Sequence, residues 1–301
     1  MHKNIRLYSW YFATTSFLAW MPVFFLFFSE RLSLSEVLQL EAIYYISVVI
    51  LEIPSGYFSD KIGRKKTLFY GAVLLCLAIT FYIYGINFWW LCAGQIAFAA
   101  HMAFISGTNT VFHFESLKSE NLESEYGQRE ATVNKWALIS GGFGALLGGW
   151  LSGYDLVYAY WLSLLAAIIA LAITFLFDEP EIQNKEKAQS NIIIQLTKCV
   201  AYLKNKSLFW IFSLYVIMYI MVHVPYEFYQ PYLKLLEDGQ LLNISSAPVM
   251  SGILYAFAMF VGAYAASQSI VWKNKIGLNR YLFLMFVMII IVIGLMSWIL
   301  H

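Results

Sequence analysis

Two carboxylates and a glycine lie at four-residue intervals near the end of an apolar run. Glu52, Gly56 and Asp60 therefore share one face if this run is a helix. A carboxylate inside an apolar run is costly unless it is paired or functional. Two interpretations of Glu52 stay open: it pairs within a gate at the end of the helix, or it carries a proton.

Other titratable residues in apolar runs are candidates for proton or substrate coupling. His101 is either a hydrogen-bonded core residue or a group that titrates near neutrality. Glu115 ends the same run, where a position at the membrane interface is the alternative. His223 and Glu227 are four residues apart and flank Pro225, which can bend a helix. For this pair, anchoring at a span boundary competes with a proton or substrate role.

The composition identifies the environment of these residues. Of the 301 residues, 60% are hydrophobic and 12% are charged, whereas a soluble domain carries about 25% charged residues. A bilayer can cover so much apolar surface. The net charge of +1 excludes a basic nucleic-acid surface. Three widely spaced cysteines form no metal spacing, and no nucleophile motif is present. We therefore expect that the protein binds no metal and no cofactor and that it is not an enzyme.

The apolar runs predict an all-α integral membrane protein of about nine transmembrane helices, because a span needs about 20 apolar residues. The predicted spans are 7–28, 36–58, 67–86, 88–112, 132–153, 156–177, 207–229, 246–270 and 279–300.

Basic residues predict the orientation. With the N-terminus in the cytoplasm, all of the 19 Lys and Arg except Arg31 and Lys234 fall on the cytoplasmic side. The N-terminal segment 1–6 is short and basic. The apolar run after it is too long for the core of a signal peptide, and this length predicts a retained first helix. Ser33 and Glu36 have the spacing of a capping box that starts the second span. We expect a multi-pass protein of the cell membrane, namely the bacterial inner membrane.

The segment 56–66 reads Gly-Tyr-Phe-Ser-Asp-Lys-Ile-Gly-Arg-Lys-Lys and follows the second span. It resembles the signature loop of the major facilitator superfamily, in sequence and in position. The resemblance implies that Asp60 belongs to a latch between two halves of the fold. The alternative is a basic anchor that only fixes topology. The latch or gate residues that it implies are Gly56, Asp60, Lys61, Gly63, Arg64 and Lys65.

The fifth span contains the glycine-rich run 140–149. It is similar to the antiporter signature of that family, with Ala145 where Pro is expected. The alternative is close helix packing through small residues. The packing glycines are Gly141, Gly144, Gly148 and Gly149.

An internal repeat supports a two-half organisation. Residues 274–282 repeat Lys, Ile, Gly and Leu of residues 60–68, with Asn274 at the position of Asp60. This predicts a six-helix bundle over 1–178, a cytoplasmic linker over 179–206 and a partial, three-helix bundle over 207–301. We therefore expect a C-terminally truncated chain of this family.

The resemblance implies a secondary transporter that works as a monomer by alternating access. Its expected partners are a small-molecule substrate, protons and the lipid bilayer, and efflux is favoured over uptake by the antiporter-like run. The alternative is a truncated remnant or an accessory membrane protein that does not transport.

Overall fold

The computed structural model describes residues 3–180, 201–202, 204–238 and 246–277, together with 280, 283, 284 and 287. These residues form helices and connecting turns. The α-helices are α1 Lys3–Thr15, α2 Phe24–Ser29, α3 Leu34–Ile62, α4 Arg64–Tyr84, α5 Phe88–Ile105, α6 Thr108–Lys118, α7 Tyr126–Ser152, α8 Val157–Leu176, α9 Lys206–Asp238 and α10 Ala247–Ile276. Short 3-10 helices cover Met21–Val23 and Glu123–Glu125.

Five segments of the described residues are long and apolar enough to cross a membrane. They are Leu34–Glu52, Arg64–Tyr84, Phe88–Lys118, Val157–Leu176 and Ala247–Gln268. The predicted first, fifth and seventh spans fall on α1–α2, α7 and α9, while the predicted ninth span, 279–300, lies outside the described residues apart from isolated positions. Most of the predicted linker 179–206 also lies outside them, and the division into two bundles stays a prediction.

The surface of the described bundle carries many large apolar side chains that a soluble protein would bury. Large apolar side chains such as Val49 and Phe257 are each 69% exposed, whereas Gln230 is fully buried. Apolar side chains face outward where lipid can cover them, and the buried Gln230 amide is hydrogen-bonded inside.

Two element boundaries differ from the sequence prediction, and one predicted helix start is confirmed. The first span is not continuous, since residues 16–20 separate α1 from the turn that leads into α2. The polar stretch 113–131 is largely helical rather than a loop, because α6 continues to Lys118 and α7 begins at Tyr126. The capping box at the start of α3 is present, with Ser33 and Glu36 each bonding the other's backbone N–H.

Two turns support the internal repeat. Gly63 follows α3 with φ of 104°, and Gly277 follows α10 with φ of 77°. Both glycines come directly after an isoleucine that ends a helix. Positive φ is available to glycine at little steric cost. The two copies of the motif therefore share a glycine with positive φ as well as several residue types.

The described helix bundle has two ends. We call the end that carries the turn between α3 and α4 the motif end, and the other the opposite end. The N-terminus of α1 lies at the motif end, where the Asn4 side chain bonds the backbone N–H and C=O of Asp178, both at 2.9 Å. Helix α7 packs along α10, and this contact joins the first six spans to the rest of the described chain.

Candidate functional site

A cavity lies beside the break in the first span, between α3, α5 and α9. Aromatic rings form most of its wall, and three polar side chains interrupt them. The aromatic residues are Trp20, Phe24, Tyr44, Tyr45 and Phe98, and the polar ones are Glu41, Gln95 and His223. Apolar walls with a few convergent polar groups are typical of small-molecule sites.

Glu41 is the acidic residue of this cavity. Gln95 Nε2 donates to Glu41 Oε1 at 2.9 Å, and Tyr82 Oη donates to Gln95 Oε1 at 2.7 Å. A chain of donors thus supports a carboxylate in the apolar part of α3, where an unsupported charge would be expensive. Glu41 was not among the predicted site residues, although the signal that identified Glu52, an acid inside an apolar run, applies to Glu41 equally.

Tyr45 and His223 join α3 to α9 across the cavity. Tyr45 Oη lies 2.5 Å from His223 Nε2, and the His223 ring stacks on Tyr219 with centroids 4.6 Å apart. The pair can hold a proton on either partner, because a neutral imidazole nitrogen accepts and a protonated one donates. His223 was a predicted candidate, whereas Tyr45 was not. Glu227, the other candidate of α9, has its side chain outside the described part.

Arg64 organises the motif end. Its Nη1 lies 2.7 Å from Asp60 Oδ1 and donates to Ser59 Oγ at 2.8 Å, and its Nε lies 3.5 Å from Glu115 Oε2. The structure therefore brings the predicted Asp60, Arg64 and Glu115 into one charge network. Glu115 belongs to this network and not to the cavity.

Glu179 completes the same network from the end of the sixth span. Its carboxylate accepts from the backbone N–H groups of Arg64 at 2.5 Å and Lys65 at 3.1 Å. These are the first amides of α4, which have no helical partner and favour a negative charge. A Cβ on Gly63 would lie 2.8 Å from the carboxylate atoms of Glu179. A glycine is thus required at position 63 for two reasons: the positive φ, and the space that the Glu179 carboxylate occupies.

The remaining predicted residues of the motif are on the surface. Asp60 is 47% exposed, and a Cβ on Gly56 would meet nothing within 4 Å. No described helix approaches Gly56 closely, in contrast to the small-residue contact that its type suggests. Lys61 lies near the ring of Tyr57, and Lys65 Nζ donates to the Phe175 carbonyl at 3.4 Å.

Two candidates for proton coupling lie away from the cavity lining. Glu52 is exposed and accepts from Ser106 Oγ at 2.6 Å. His101 is 1% exposed, and its Nδ1 bonds the Gly71 carbonyl at 2.8 Å. His101 thus has the surroundings of a hydrogen-bonded core histidine, the first of the two interpretations given to it.

The four predicted packing glycines of α7 face two different neighbours. Gly141, Gly144 and Gly148 lie against residues 16–19, so that a Cβ on Gly148 would overlap the Ala19 carbonyl. Gly149 faces α10, where a Cβ would lie 2.7 Å from Gly252 Cα. These contacts match close packing through small residues.

A hydrogen-bonded pair of His113 and Glu130 lies at the motif end, apart from the Arg64 network. His113 Nδ1 is 2.5 Å from Glu130 Oε2, and the His113 ring stacks on Tyr8 at 4.5 Å. This pair ties α6 to α7 and α1. Within the described residues, no three His, Cys, Asp or Glu side chains come together as metal ligands would.

Comparison with known protein families decides what this fold is. The sequence model of the Major Facilitator Superfamily matches residues 7–301. The chain belongs to the major facilitator superfamily. It is therefore a multi-pass membrane protein and a secondary transporter of a small molecule, and not an enzyme.

A solved member of similar fold is the one described as "Crystal structure of nucleoside transporter NupG". The TM-score is 0.71 at 13% identity, and the match covers 92% of this chain and 69% of that one. At this identity, the likeness establishes the facilitator fold alone. A comparison with curated proteins gave no match.

Proposed function

We propose that this facilitator moves its substrate through the cavity beside Glu41 and His223, and that protons drive the movement. The observation that carries the proposal is that α3 and α9, from opposite sides of the predicted two-bundle division, meet there at Tyr45 and His223. A site at the boundary of two bundles is exposed alternately when they rock. Glu41 and His223 are the groups that hold the proton.

The Arg64 network serves as the gate at the motif end, which faces the cytoplasm. Asp60 is half-exposed beside its own Arg64, so its carboxylate is accessible to a second helix in another state. Glu52 lies on the same exposed face of α3, one turn from Gly56 and two turns from Asp60. These three positions form the surface on which the latch closes, and Glu115 holds Arg64 in place.

The substrate class rests on the walls of the cavity. Aromatic faces such as Tyr44 and Phe98 stack on flat rings, and the Glu41–Gln95 pair offers hydrogen bonds to the edge of such a ring. The solved structure of similar fold is titled as a nucleoside transporter. Nucleosides are therefore the first substrates to test, and efflux in exchange for protons is the direction that the antiporter-like run 140–149 favours.

Flux measurements on purified protein test this function. The protein is reconstituted in liposomes, and a panel of labelled nucleosides is followed with a pH gradient of either sign. We expect gradient-driven movement that Glu41→Gln abolishes, because glutamine keeps the hydrogen-bonding shape of glutamate but binds no proton. Glu123→Gln, an exposed acid outside the cavity, is the matched control and keeps wild-type flux. Equal flux from Glu41→Gln would contradict the proposal.

A second candidate function is an accessory membrane protein that does not transport by itself. It is favoured by the open face around Gly56, where no described helix packs. Well-folded protein that binds members of the panel yet moves none of them across the bilayer would support this second function.

A further inference from the structure

The break in the first span places main-chain groups in the apolar interior without regular helical partners. Helix α1 ends at Thr15, and a 3-10 turn over Met21–Val23 leads into α2. Pro22, in this turn, has no N–H to donate. Inside a bilayer each unsatisfied main-chain group costs several kcal/mol, so other side chains must bond those at a break.

Gln230 of α9 bonds the two groups that flank this turn. Its Nε2 donates to the Met21 carbonyl at 3.1 Å, and its Oε1 accepts from the Phe25 N–H at 3.0 Å. In a regular α-helix the N–H of residue 25 bonds the carbonyl of residue 21. The Gln230 amide therefore stands between two groups that can pair with each other.

The surroundings keep this amide in place. Gln230 is fully buried, and Ser251 of α10 donates to the Pro22 carbonyl beside it. On the other side of the break, the Trp20 N–H donates to Ser163 of α8 at 3.2 Å. The turn that leads into α2 is thus bonded by α9 and α10, and the residue just before this turn is bonded by α8.

We propose that Gln230 is a positioning residue that holds α2 against α9 and thereby closes the opposite end of the cavity. When α9 withdraws, the Met21 carbonyl and the Phe25 N–H bond each other in an ordinary helical turn. The exchange replaces two inter-helix bonds with one local bond, so neither main-chain group is left unsatisfied during the motion. This inference rests on the proposed alternating access, and it assigns Gln230 a role that no motif of the sequence carries.

Distances between spin labels at the opposite end test the proposal. Cysteines replace Glu30 after α2 and Leu235 on α9, while Cys76, Cys92 and Cys199 are changed to Ala. The ratio of near to far label populations is then measured without substrate. Gln230→Leu should lower this ratio about 2- to 12-fold, as expected for the net loss of one hydrogen bond. Gln39→Leu, an exposed glutamine of α3, is the matched control and leaves the ratio unchanged.

A conservative variant separates positioning from simple packing. A protonated glutamic acid can donate and accept as an amide does, whereas a carboxylate has no donor for Met21. In acidic buffer, Gln230→Glu should therefore have the same ratio of near to far label populations as wild type. In alkaline buffer, its ratio should fall below that of wild type in the same buffer.

An unchanged ratio in Gln230→Leu, or a Gln230→Glu ratio that does not respond to pH, overturns the proposal. The measurement needs no substrate, so its outcome is independent of the flux assay. Absent flux with the expected distance shifts would reject the proposed function and leave the role of Gln230 intact.

Discussion

Gly63→Ala is the substitution whose consequence the motif end defines most closely. Gly63 has φ of 104° and ψ of 156°, a region that is essentially confined to glycine and costs other residues about 1–3 kcal/mol. The new Cβ also meets the Glu179 carboxylate at 2.8 Å. Because that carboxylate ends a flexible side chain, it moves away, and the first amides of α4 lose their cap. Loss of a helix cap costs about 0.5–2 kcal/mol, so the total is about 1.5–5 kcal/mol.

Two other glycines separate the terms of this sum. Gly107 has φ of 66°, and a Cβ there meets nothing within 4 Å, so Gly107→Ala adds backbone strain alone. Gly56 lies within α3 in open space, so Gly56→Ala adds neither strain nor a clash. Thermal unfolding of the purified protein in detergent should rank the three variants, with Gly63→Ala the least stable and Gly56→Ala close to wild type.

A double-mutant cycle with Glu179→Gln tests the cause of the difference. If the new methyl group displaces Glu179, the two changes remove the same cap and their effects are not additive. Equal stability of Gly63→Ala and Gly107→Ala, together with additive effects of Gly63→Ala and Glu179→Gln, would refute this reasoning.

Three further predictions concern other contacts. Gly252→Ala places a Cβ 2.6 Å from the α7 backbone and should lower the unfolding temperature, whereas Gly262→Ala, whose Cβ meets its nearest atom at 3.7 Å, should not; equal effects would contradict the close helix contact. Asn4→Ala removes both 2.9 Å hydrogen bonds to the Asp178 backbone and should destabilise the protein by about 1–3 kcal/mol, measured by denaturant unfolding; an unchanged midpoint would contradict the pairing. Tyr45→Phe removes the inter-helix hydroxyl and should slow proton-driven flux by at least about fivefold, while wild-type flux would remove Tyr45 from the pathway.

The sequence was most informative where local chemistry decides the structure. The Ser33–Glu36 capping box needs only its own four residues, and the turn at Gly63 needs a residue that accepts positive φ. The pairing of Asp60 with Arg64 is likewise local, because the two lie four residues apart on either side of the turn at Gly63. Each of these features could be read before the fold was known.

The cavity depends on residues that are distant in the sequence, and there the prediction was weaker. The break near residue 20 lies in an apolar stretch, and its partners Gln230 and Ser251 lie more than 200 residues away. Glu41 and Glu52 are equivalent as acids in one apolar run, and only the packing of α5 and α9 places Glu41 in the cavity. Glu179 follows a predicted span end, but its role as the cap of α4 requires the ends of two helices to meet.

The coupling of protons to substrate movement through Glu41 is tested most directly by a comparison of two fluxes on one variant. Gradient-driven nucleoside flux requires a proton-binding group, whereas exchange of labelled for unlabelled nucleoside at equal pH does not. We predict that Glu41→Gln keeps exchange and loses its response to the pH gradient, because glutamine retains the hydrogen-bonding shape without the titration. Glu41→Gln protein that still concentrates nucleoside in response to the gradient would contradict the account.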